Sequence, residues 1–217
     1  MLTLSKKISA VICYNLSISG EKKEVIEYGM IALVQIIFFV SAVFIAGIFT
    51  GTALAALTIC FSTSILRKSS GGVHVSSINI CTIIGMTFCL FSSVLIKYVL
   101  ADWINLFWLS ILAVACFTLA FIVIYLKAPV DTKNKPINTV KKKKRLRKSC
   151  YMILVAYAFL TIVFIYLAFK FHTSTTYALC ILFGLMWQIL TLTKIGSKLI
   201  GGIDKGMSMT WKALKSL

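Results

Sequence analysis

Six uncharged apolar runs, each near the length of a membrane crossing, leave this chain few ways to fold. They read as Tyr28–Phe49, Thr52–Leu66, Ile78–Ile96, Ile104–Leu126, Tyr151–Phe169 and Thr175–Leu192. A hydrocarbon core of about 30 Å is crossed by a helix of about 20 residues. Lipid offers no partner to backbone N–H and C=O groups, so such runs become helices that satisfy themselves. With 59% hydrophobic residues, the chain also exceeds the roughly 45–50% apolar content of soluble domains. The expected fold class is all-α: a polytopic membrane protein of about six transmembrane helices, with amphipathic N- and C-terminal segments. The second run is short, so it should tilt little or thin the bilayer.

The expected layout is one membrane domain over 1–217. Residues 1–19 form an interfacial amphipathic helix, with Leu4, Ile8, Val11, Ile12 and Leu16 on one face. That stretch interleaves polar with apolar positions, so no cleavable signal is expected. Residues 28–126 hold four spans, 127–150 a basic cytoplasmic loop, 151–192 two spans, and 193–217 an amphipathic tail.

Orientation follows from lysine and arginine, which are enriched in cytoplasmic loops. With both termini inside, four fall at the N-terminus, two in the connection with Arg67 and Lys68, ten between Lys127 and Lys148, and five after Leu192. Only Lys97 and Lys170 fall outside. The expectation is therefore a multi-pass cell-membrane protein with both termini cytoplasmic. The net charge of +17 is densest at Lys141, Lys142, Lys143 and Lys144 and the basic residues after them. Charge alone suits anionic lipid, an acidic peptide or nucleic acid.

Inside the six runs there is no Asp, Glu, Lys or Arg, so the proton relays and ion sites of coupled transporters are missing. Gln35, Asn105 and Gln188 are candidates for polar contacts between helices. HExxH, GxSxG and P-loop motifs are absent from the sequence, and no cofactor or metal is expected. Seven cysteines at positions 13, 60, 81, 89, 116, 150 and 180 show no metal-type spacing and read mostly as small buried hydrophobes.

One stretch differs. Arg67-Lys-Ser-Ser-Gly-Gly-Val-His-Val-Ser-Ser-Ile-Asn-Ile-Cys81 brings an arginine, a Gly-Gly pair, a histidine and a thiol to the charge-assigned inner face. Cysteine attacks as thiolate, a form that a neighbouring cation favours. His74 can act as general base and then proton donor, and Arg67 can add field or hold a carboxylate. Seven residues of continuous helix would separate His74 and Cys81 by about 10.5 Å in rise, so a working pair needs a bend, which Gly71 and Gly72 permit. On the residues alone a plainer reading also stands: a solvated histidine, a packed cysteine and a turn. Cys150 is a rival nucleophile behind the basic run, and His172 falls on the outer side.

This arrangement resembles the AgrB family of membrane cysteine endopeptidases in Gram-positive quorum sensing. The resemblance rests on RKSSGGVH with a cysteine seven residues after the histidine, on APVDTKNKP over Ala128–Pro136, on the basic run behind it, and on the six-span layout. It implies that Cys81 is the nucleophile and His74 its base, with Arg67 and Gly72 supporting the site. It implies an AgrD-like precursor peptide as partner, cut at its C-terminal side through an acyl-thioester and closed to a thiolactone or lactone. Lys141–Lys144 would hold the acidic part of that peptide. Anionic lipid is a further expected partner, nucleic acid is not, and a homodimer is compatible. A third orienting residue is not evident, with Ser77 and Asn79 as candidates. A peptide exporter without proteolysis and a simple hydrolytic protease are the competing readings.

Overall fold

A computed structural model describes residues 2–16, 19–73, 78–130 and 139–215. Regular structure among them is entirely helical: α1 (Leu2–Asn15), α2 (Glu21–Phe49), α3 (Ala53–Ser70), α4 (Ile78–Leu95), a π turn (Ile96–Leu100), α5 (Ala101–Trp103), α6 (Leu106–Lys127), α7 (Val140–Ala168), α8 (Thr173–Thr191) and α9 (Lys194–Lys215). The chain is thus the expected all-α polytopic membrane protein.

Among the described residues, five stretches are long and apolar enough to cross a membrane: Lys22–Phe49, Asn79–Trp103, Leu106–Lys127, Val140–Ala168 and Thr173–Thr191. The second expected span, α3, does not meet that standard, because Arg67, Lys68 and a series of hydroxyl side chains dilute it. It still passes from one end of the bundle to the other. Beside its first turn Thr52 Oγ1 lies 2.9 Å from Ser93 Oγ near the end of α4. In its last turn Ser69 Oγ lies 2.9 Å from Ser149 Oγ in the early part of α7. Successive helices therefore alternate in direction, and the start of α2 and the end of α8 share one end, where the basic residues gather.

Lipid tails are as apolar as leucine, so helices in a membrane are held by close packing and polar contacts rather than by exclusion of water. The α3–α8 pair is where both are concentrated. A Cβ on Gly184 would lie 2.7 Å from Ser62 Cβ and 2.9 Å from Ile59 O, so only glycine lets the two backbones approach this closely. Thr63 Oγ1 donates to Gly184 O at 3.3 Å, and Tyr157 of α7 donates to Ser62 O at 2.8 Å. Around this pair the outward faces of α2, α6 and α7 present exposed side chains such as Ile36, Phe49, Phe121, Val155 and Phe159. Those faces suit lipid.

The first helix has two faces. Ser5, Ser9 and Cys13 are buried at a spacing of one helical turn, while Ile8, Val11 and Leu16 point away and are exposed. Small residues allow α1 to lie close to the bundle while its apolar face is free for lipid. In α9 likewise Ile200 is buried and Ile195, Leu199 and Ile203 are exposed.

The connection expected over 127–150 is partly helical. Thr139 Oγ1 accepts from Lys142 N at 3.3 Å and caps α7, so Lys141–Lys144 occupy its first turns. Hydropathy reads a charged run as loop, but lysine and arginine are good helix formers. Residues 131–138 of that connection lie outside the described residues.

Candidate active site

The site begins where α3 stops. Gly71 has φ +72° and Gly72 φ +144°, a backbone region that L side chains rarely adopt. Space excludes side chains as well: a Cβ on Gly71 would lie 2.5 Å from Val130 O, and one on Gly72 2.8 Å from Thr191 Oγ1. The chain leaves the helix through a slot between the 128–130 segment and the end of α8.

Four hydrogen bonds hold it in that slot. Val130 N donates to Ser70 O at 2.9 Å, and Val73 N donates to Thr191 O at 3.3 Å. Gln188 Nε2 donates to Gly71 O at 2.7 Å, and Arg67 Nη2 donates to Val73 O at 2.7 Å. Buried backbone groups must find partners, and here a non-helical stretch finds them on three segments: the end of α3, the 128–130 segment and the end of α8. Arg67 therefore braces the chain beside it. His74 follows Val73 directly in sequence but lies outside the described residues, as does Ser77. The next described helix, α4, begins at Ile78, and Cys81 sits in its first turn.

Cys81 opens into a cavity of about 460 Å³, within the range of roughly 300–1,000 Å³ usual for ligand sites. Its walls include Tyr28, Gln35 and Phe39 of α2, Thr63 and Arg67 of α3, Val73, Thr82, Val130, Leu146, Trp187 and Ile200. Gln35 Nε2 donates to Thr82 Oγ1 at 3.4 Å, joining α2 to α4. The ring of Trp187 stacks on Phe88 with centroids 4.1 Å apart, fixing the wall where α4 meets α8. Arg67 and Lys68 bring positive charge, and no acid is found among the described lining residues. The interior is otherwise mostly apolar, so it suits an uncharged stretch of peptide with an anionic group at one side.

Six of the seven cysteines are buried, and Cys81 alone is partly accessible. Cys150, the rival nucleophile, is fully enclosed between α7 and its neighbours and has no path to a substrate. His172 lies at the opposite end, its Nδ1 3.8 Å from Asp102 Oδ1, with both side chains exposed. Asn79 is exposed in the first turn of α4 and is not among the cavity residues. Of the three polar residues expected to link helices, Gln35 and Gln188 do so, whereas Asn105 caps α6 by accepting from Trp108 N at 3.0 Å. Lys141, Lys143 and Lys144 are exposed at the start of α7. Two turns further on, Leu146 reaches the cavity and Arg147 Nε donates to Ala128 O at 3.0 Å.

Comparison with known proteins places the chain in a family. The family model for accessory gene regulator B matches residues 5–192. A protein of Clostridium perfringens (strain SM101 / Type A), named as AgrB-like, is 39% identical over 203 residues, covering 93% of this chain and 95% of the relative. A second AgrB-like protein, from Clostridium perfringens (strain 13 / Type A), is 38% identical over the same length and shares. No solved structure matches the chain. The family match spans both sides of the cavity, and the chain belongs to the accessory gene regulator B family, AgrB.

Proposed function

We propose that this protein is a membrane cysteine endopeptidase that cuts an AgrD-like precursor at its C-terminal side and promotes closure of the remainder to a cyclic signal. Family membership supports a part in the agr quorum-sensing system. The observation that carries the chemistry is that Cys81, alone among seven cysteines, is accessible, and that it opens into a cavity beside Arg67.

In this reading the Cys81 thiolate attacks a peptide carbonyl, and a tetrahedral oxyanion forms and collapses. The C–N bond breaks, His74 returns the proton to the departing amine, and the N-terminal part stays on sulfur as an acyl-thioester. A thiol or hydroxyl within the peptide then attacks that carbonyl, forms the thiolactone or lactone, and restores the Cys81 thiol. Ring closure wins over hydrolysis where the internal nucleophile is held close and water is scarce, conditions that a mostly apolar cavity favours. Lys141–Lys144 and the cations after them attract the acidic part of the precursor, and anionic lipid when no precursor is bound. The basic end of the bundle, with both termini, then faces the cytoplasm.

The test uses the full chain in lipid with a precursor whose internal nucleophile has been replaced by alanine. An acyl-thioester should accumulate on Cys81, visible by mass spectrometry. An adduct on any other residue, or cleavage that persists in Cys81→Ala, would overturn the reading. Cargo movement without cleavage would favour an exporter instead.

A further inference from the structure

The strand that leads out of α3 has one side-chain support from a distant part of the sequence. Gln188 sits 117 residues beyond Gly71 in sequence and is fully buried in the last full turn of α8. Its Nε2 donates to Gly71 O at 2.7 Å and to Ser70 Oγ at 2.9 Å. Both amide hydrogens are thereby used on the point where helix gives way to strand. Ser70 Oγ in turn donates to Leu66 O at 2.9 Å, which fixes the hydroxyl as an acceptor for the amide. The orientation of the carboxamide is settled by chemistry, since Gly71 O can only accept. In consequence Gln188 Oε1 is buried without a partner.

A buried acceptor left unpaired destabilises the folded state, and an apolar residue of the same shape would avoid that cost. The side chain thus satisfies one end of itself at the expense of the other. What it gains is a fixed path for Gly71–Val73, because the same helix supplies Thr191 O to Val73 N. One turn of α8 holds two points of the strand that runs directly into His74.

We infer that Gln188 is a positioning residue for the Cys81 reaction, acting through the backbone of Gly71–Val73 to set the approach of the histidine that follows. The inference rests on the cysteine-peptidase reading above. Its separate content is that removing the Gln188 amide disarms the thiol while precursor binding and the folded bundle persist, since neither cavity walls nor cationic turns include this side chain.

The experiment measures alkylation of Cys81 by iodoacetamide at pH 7 in the full chain reconstituted in lipid, read by mass spectrometry, with thermal unfolding recorded in parallel. Iodoacetamide reacts with thiolate, so the rate reports activation of the sulfur. His74→Ala should slow it about tenfold, as expected for a thiol that loses its imidazole partner. Gln188→Met, close in shape but without donors, should slow it to a similar degree with little change in unfolding. In turnover of a synthetic precursor it should lower kcat with KM nearly unchanged. Thr161→Val, at another buried hydroxyl without a partner and remote from the cavity, should leave the rate at the wild-type value. If His74→Ala leaves alkylation unchanged, the cysteine–histidine reading fails. If His74→Ala slows it and Gln188→Met does not, this inference fails and the reading stands. Should Gln188→Met not fold, Gln188→Asn, one methylene too short to reach both acceptors, replaces it. Failure of both to fold would make Gln188 a folding residue and overturn the proposal.

Discussion

The two ends of the bundle solve the same problem with opposite outcomes. At each, the chain leaves a helix through a glycine of positive φ, Gly51 at one end and Gly71 at the other, and side-chain donors pin the freed carbonyls. Lys97 Nζ donates to Gly51 O at 2.6 Å and Tyr98 OH to Thr50 O at 3.0 Å. At the basic end Gln188 and Arg67 do this for Gly71 and Val73. The Lys97–Tyr98 lock is exposed, closes a tight α2–α3 turn, and has no thiol near it. The Gln188–Arg67 lock is largely buried and stands beside a cavity with the accessible cysteine. Identical hydrogen-bond chemistry therefore serves closure at one end and, in the proposed function, presentation of a reactive pair at the other.

The largest test of that contrast is at the thiol. Cys81→Ala should abolish precursor cleavage, a fall of about a thousandfold or more if the sulfur is the nucleophile. Cys150→Ala, in the enclosed core, should cut with normal kinetics and lose only stability, measured by thermal unfolding. Next come the glycines. Gly72→Ala and Gly51→Ala both force a side chain into positive φ, at a cost of order 1–3 kcal/mol. Both should lower the unfolding temperature, but only Gly72→Ala should also reduce turnover, by about tenfold or more. Equal loss of turnover in the two would erase the distinction between the ends.

A smaller effect is expected at the start of α7. Replacing Lys141–Lys144 by glutamine should weaken precursor binding several-fold at low ionic strength and flatten its salt dependence, because exposed charges are screened over about 10 Å at 0.1 M salt. Binding isotherms at two salt concentrations decide it, and an unchanged affinity at low salt would remove these lysines from recognition. Smallest of all, Lys97→Met should leave affinity and turnover alone and cost about 1 kcal/mol in stability, the usual worth of one hydrogen bond made by a charged group at an exposed site.

How much of this was legible in the sequence depends on how local the signal is. Every apolar run became a helix, but their ends moved where polar residues continue the helix past the hydrocarbon. Thus α2 starts at Glu21 rather than Tyr28, and α7 at Val140 rather than Tyr151. Hydropathy sees the membrane, whereas a helix ends only where capping and backbone hydrogen bonding end it. The Gly-Gly pair announced a break, and Cys81 lies in the first turn of the next described helix. The slot around Gly72 was not legible, because Thr191 and Val130 reach it from far along the chain. Gln188 stood out only as a lone amide in an apolar run. Its target, a carbonyl 117 residues away, has no signature in a one-dimensional string.

The short polar helix α3 also has a consequence for how the protein is made. It is less lipid-like than the five spans named above, it carries Arg67, and its main packing partner, α8, is synthesised long after it. Until α8 is synthesised, Ser70 and Gly71 lack the Gln188 amide, Val73 N lacks Thr191 O, and Gly184 is not there to pack against Ser62, so the end of α3 cannot be finally seated during early insertion. The order of synthesis thus leaves Gly71–Val73 without its α8 partners until that helix has been made. A nascent chain stalled before residue 173 would hold the thiol and the histidine but not the helix that fastens Gly71–Val73 ahead of them.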